Sequence, residues 1–131
     1  MQMGRLNLRE PTERKRLASE WLDYAESGNE DLFWAYELLS DLIDEDPGLA
    51  WEIILDLLHR APTESTFGFA AAGPLEDLVA WHGREVIDLI EHRARRDELL
   101  RRALSALWVG RDTLDLETLE RFWNLGVQRI G

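Results

Sequence analysis

Asp56 and His59 stand three residues apart, and Asp88 and His92 four apart, so each pair would share one face of a helix. Carboxylates and imidazoles on facing helices are the material of a dimetal site, and Glu85 lies one turn before Asp88. That architecture takes inward-facing Glu-x-x-His pairs from two helices, however, and the chain contains none. These residues also fall on polar stripes, where ligands would have to interrupt an apolar face. Surface pairing is the simpler reading, and a metal centre on Asp56, His59, Asp88 and His92 is the alternative. His82, beside Gly83, reads as a helix-end residue rather than a base.

Other chemistry finds less support. Asp41/Glu45 and Glu52/Asp56 have one-turn spacing, but acid/base work needs one desolvated and one ionised carboxylate, and any acidic helix offers such spacing. There is no cysteine, which excludes thiolate sites and disulfides and fits a reducing compartment. Gly68 and Gly73 have a phosphate-loop gap, but Pro74 follows where lysine would be needed. No serine lies in a nucleophile motif. No cofactor is expected.

The charge of −11 is unevenly spread. Residues 29–92 hold fifteen acids against Arg60 and Arg84, whereas residues 93–131 carry eight arginines and six acids. A negative middle repels phosphate backbones and anionic membranes and attracts a basic partner. Equally, it serves as a solvated, aggregation-resistant surface. Arg93, Arg95, Arg96, Arg101 and Arg102 could form a basic ridge, but pairing with the acidic middle explains them more economically than nucleic acid. The N-terminus has no leader-like apolar run and no stretch matches a membrane span, so the expected location is the cytoplasm.

The elements that must position these groups are helical. Apolar residues recur at 3.6-residue spacing over 12–27, 30–45 and 47–60, with Gly28 ending the first, Asn29 capping the second and Asp46-Pro47 starting the third. Residues 61–73 read as non-periodic, because Pro62 and Gly68 oppose a long helix, with Phe69–Ala72 able to form one turn. Gly73-Pro74 opens the next helix, with Glu76 and Asp77 at its positive end, Trp81 packing inward and Gly83 breaking or kinking it. Further helices span 85–95, 98–108 behind an Asp97 cap, and a short stretch after Asp115 closed by Gly126. Only 127–130 suggests extended chain. The chain of 131 residues is thus expected to be all-α, one bundle or short stack of about seven helices, with residues 1–10 as a tail.

Nearly every expected helix carries one tryptophan, more than packing alone requires. Most should be core anchors, with Trp34 and Trp51 the best candidates for contact residues because both lie in the acidic half. The segment Ala71-Ala72-Gly73-Pro74-Leu75-Glu76-Asp77-Leu78, followed by His82-Gly83, resembles the signature of a bacterial family of small uncharacterised helical proteins. Phe33-Trp34-Ala35, Ala50-Trp51 and the stretches 87–97 and 100–108 share the likeness, which spans roughly residues 20–125. The resemblance implies a shared fold and supplies no activity. Physically, Gly73 would allow close backbone approach, Pro74 would fix the chain direction, and Glu76 or Asp77 would tie down free amides. A ligand or partner site around Glu76, Asp77 and His82 is the functional alternative.

These features favour an acidic protein-interaction module, of the kind an immunity or antitoxin-like inhibitor of a basic toxin or nuclease would need. Glu37, Asp41, Asp44, Glu52 and Asp56 would meet a basic protein partner, and Trp34 or Trp51 would fill a pocket. The alternatives are the metal or acid/base enzyme above and a homodimer joined through an apolar helix face.

Overall fold

The structure, a computed structural model, describes residues 7–129. Of the expected tail, residues 1–6 lie outside that range; Asn7 to Glu10 form a turn, and Leu8 packs against the core. Seven α-helices follow: α1 (Pro11–Ser27), α2 (Phe33–Glu45), α3 (Pro47–Arg60), α4 (Glu64–Ala70), α5 (Glu76–Ala94), α6 (Glu98–Leu104) and α7 (Leu116–Asn124). The expected all-α class holds. Among the described residues no helix is long and apolar enough to cross a membrane.

Local chemistry sets most boundaries. Gly28 takes φ 70°, a left-handed conformation that ends α1. Asn29 caps a single 3₁₀ turn, Glu30–Leu32, that leads into α2. Asp46 accepts the Leu49 amide at the start of α3, with Pro47 in the first turn. Helix α3 is the hub: it touches α1, α2, α4, α5 and α6, and Ile53, Ile54, Leu57 and Leu58 are buried at its centre.

Three expectations need correction. Residues 64–70 are helical, because Thr63 and Thr66 form a reciprocal cap and Gly68 sits in open space where its missing side chain costs no contact. Gly73-Pro74 does not open a helix. Ala71–Leu75 is one wide π-type turn joining α4 to α5, a local widening around Pro74, which has no amide hydrogen to continue the regular ladder. Helix α6 stops at Leu104. Tight turns at Ala106 and Leu107 send Trp108–Val109 (β1) into a parallel pairing with Gln128–Arg129 (β2), which buries Leu107, Val109 and Val127. The extended chain expected near 127–130 is therefore real over its described part.

The expected break at Gly83 is a kink inside α5. His82 leaves helical geometry at φ −133° and ψ 20°. Gly83 is buried, and a Cβ there would stand 2.9 Å from Phe122 and 3.0 Å from Leu114. Only glycine lets α5 approach α7 this closely.

Candidate functional site

Helix α5 begins at the motif residues, and its first turns face the strand β1. Helix α5 is continuous with the preceding turn, so Glu76 has no free helix-start amide to satisfy. Its Oε1 instead accepts the backbone amide of Trp108 at 3.0 Å. That bond covers an open N–H of β1 and holds Trp108 beside the helix. Gly73 is not a point of close approach, since an added Cβ would meet only the Phe69 ring at 4.0 Å. Pro74 is buried.

Asp77 and Trp81 stand one turn apart on α5, and Glu85 follows beyond the kink at His82. Trp81 is 65% exposed and Trp108 58%, so both indoles present their surfaces to solvent. They border a groove of about 720 Å³ with Glu76, Asp77, Arg111 and Trp123. The Arg129 guanidinium lies 4.5 Å over the Trp123 ring and covers it. Trp81 does not pack inward as its position in the motif suggested. Its placement between Asp77 and Glu85 at one-turn spacing was the available signal. Trp108 had none, because its exposure follows from strand pairing rather than from a helix face.

Electrostatics concentrate at the same place. Asp44 of α2 reaches His82 Nε2 at 2.9 Å, and Glu85 stands 3.4 Å from His82 Nδ1. Partial burial, then the neighbouring charges of Glu76 and Asp44, push the Asp77 carboxyl above its ordinary value. Glu76 and Asp44, on two different helices, thus both act on Asp77, while Arg111 and Arg129 line the same groove.

The expected acidic face is only partly assembled. Glu37, Asp41 and Asp44 are exposed on α2. Glu52 and Asp56 belong to a different neighbourhood, 3.4 Å from Arg14 and 3.3 Å from Arg60 respectively. Trp51 is a correction: at 5% exposure it is part of the core, because it falls on the inward face of α3. Trp34 is half-buried, with Arg16 5.7 Å from its ring centroid.

The Asp56, His59, Asp88 and His92 set is not brought together. His59 Nε2 is bonded to Asp97 at 2.6 Å, and Asp88 pairs with Arg121 at 2.6 Å, while His92 is exposed. Among the described residues no three His, Asp or Glu side chains gather closely enough to hold a metal ion.

A bent helical stack carrying an acid-and-indole surface defines a small all-α domain. The chain belongs to a family of unknown function, DUF6869, whose model matches residues 23–126. No curated protein and no solved structure matches it.

Proposed function

We propose that this domain is a protein-interaction module that docks a basic segment of a partner on the face made by α5, β1 and the outer side of α2. The observation that carries the reading is the pair of solvent-facing indoles, Trp81 and Trp108, on one groove with Asp77. Exposing two tryptophans to water is unfavourable, and tryptophan is the residue type most enriched among binding hot spots. Asp77 lines the groove beside Arg111 and Arg129, and the exposed carboxylates Asp41 and Asp44 of α2 and Glu85 of α5 add negative charge outside it that would speed the encounter with a positive partner. Such a surface suits an inhibitor of a basic toxin or nuclease, the specific form in which the module would act.

The test is a comparison. The wild-type chain and the Trp81→Ala/Trp108→Ala double variant are immobilised and exposed to native-cell extract at low and high salt. A basic protein held by the wild type at low salt, released by salt and not held by the variant supports the reading. Equal retention by both chains would overturn it. A second copy of the chain is the competing occupant, and a mass that falls on dilution for the wild type but not the variant would assign the face to self-association.

A further inference from the structure

A second groove, of about 430 Å³, lies where α1, α3 and the end of α5 meet. Its apolar floor is Pro11, Ile53 and Leu55. Its walls have a composition unlike the rest of this acidic chain: Arg14, Lys15, Arg93 and His59 stand against Glu52 and Asp56.

Asp97 does not line the groove but bonds two residues that do, His59 and Arg93. Its side chain is only 4% exposed and takes donors from His59 Nε2 at 2.6 Å, Arg93 Nε at 2.8 Å and the Leu100 amide at 3.0 Å. Burial opposes ionisation, but the bonds from Arg93, Leu100 and His59 outweigh it and hold the carboxyl at about 2. A fixed buried anion therefore orients two groove side chains from two different helices. Arg93 spends only its Nε on Asp97, which leaves its terminal nitrogens without a protein partner among the described residues. Among the described residues Lys15 makes no ion pair, and Arg14 makes a long 3.4 Å contact to the exposed Glu52.

We propose that this groove binds a small phosphate ester of a polyhydroxylated molecule, with the phosphate on Lys15, Arg93 and Arg14 and the hydroxyls donating to Glu52 and Asp56. Unspent guanidinium and ammonium donors at a concave site are matched by a phosphate, which accepts from several at once. Carboxylates beside them repel a purely anionic ligand but accept well from hydroxyls. The groove is open to solvent, and its volume of about 430 Å³ has room for a small molecule.

The experiment is a backbone-amide NMR titration of the whole chain with ribose 5-phosphate, using inorganic phosphate and ribose as comparators. Saturable shifts at Leu55, His59 and Arg93, with affinity about tenfold weaker in Lys15→Glu and unchanged in Trp81→Ala, are expected. Lys15 is an exposed helix residue, so a circular-dichroism spectrum matching the wild type separates lost binding from lost fold. No saturable shift with the ester, or equal affinity in Lys15→Glu, overturns the site. Inorganic phosphate binding as tightly as the ester overturns the ligand class. The Trp81→Ala arm keeps this outcome independent of the proposed docking face.

Discussion

The Glu76 carboxylate accepts the Trp108 amide at 3.0 Å across 32 positions of sequence, joining the first turn of α5 to β1. This bond adds to the β1–β2 pairing and the buried Leu107 and Val109 that hold β1, and it ties the Trp108 backbone to the helix. Glu76→Ala should cost about 1 kcal/mol and speed amide exchange at Trp108, whereas Glu76→Gln, which keeps an acceptor, should do less of both. Urea denaturation and hydrogen exchange measure the two effects. An exchange rate at Trp108 identical in all three chains would show that the bond holds nothing.

Gly83 is where α5 and α7 come closest. Replacing a helical glycine with alanine ordinarily stabilises by about 1 kcal/mol, but here the new methyl meets Phe122 at 2.9 Å and Leu114 at 3.0 Å. Both neighbours are buried and neither can swing into water. The steric term wins, so Gly83→Ala should destabilise by about 1–3 kcal/mol. A raised thermal midpoint for this variant would mean the contact yields freely.

His82 links stability to pH. A neutral imidazole has one N–H, so contacts to both Asp44 and Glu85 are satisfied together only by the charged ring. Burial, the largest single influence, disfavours that charge. The hydrogen bonds and negative charges of Asp44 and Glu85 outweigh it and raise His82 above its ordinary value. With the folded value above the unfolded one, the stabilisation is complete below about pH 6.5 and is lost as pH rises through the folded value. His82→Gln should flatten the stability profile across that interval. A wild-type slope in this variant would assign the effect to another group.

Asp97 acts in the opposite direction. Its folded value of about 2 lies below the ordinary 3.8, so its contribution is present above that ordinary value and fades as pH falls through about 2. Asp97→Ala removes the α6 cap and leaves Arg93 and His59 without their buried partner. A loss of about 3 kcal/mol is expected, with Asp97→Asn losing less because its amide oxygen can still cap. Denaturant unfolding at neutral pH decides, and a loss below about 1 kcal/mol for the alanine variant would contradict the central place given to this carboxylate.

Trp81 and Trp108 should behave unlike the other large indoles. Both are mostly exposed, so alanine at either position should change stability by no more than about 0.5 kcal/mol, while Trp21→Ala, in the core, should cost about 3–5 kcal/mol. Thermal unfolding of the three variants provides the comparison. A large loss at Trp81 or Trp108 would mark it as a packing residue and weaken the docking proposal.

What could be read directly was local. Gly28, Asn29, Asp46, Asp97, Asp115 and Gly126 each act on amides or dihedrals within three or four residues, and each marks a helix end where the chain order implied one. The Thr63–Thr66 cap is equally local, and it starts α4 despite the neighbouring Pro62 and Gly68. The kink at His82-Gly83 also belongs to this class, since glycine after a polar residue announces a break.

Tertiary structure decided the rest, because the deciding contacts join residues far apart in the chain. His59 meets Asp97, and Asp44 meets His82, each across 38 positions. Periodicity assigns a side chain to a helix face but not to the neighbour that face will find. Trp51 therefore went into the core while Trp81 stayed in water, and the carboxylates of α2 and α3 acquired different partners. Helix propensity through Trp108 lost to the pairing of β1 with β2, a contact between residues about twenty positions apart in the chain. The sequence by itself determined most of the helices and their caps, through forces that act within one turn. Burial and charge pairing between helices, which depend on the whole packing, determined which surfaces were left for a partner.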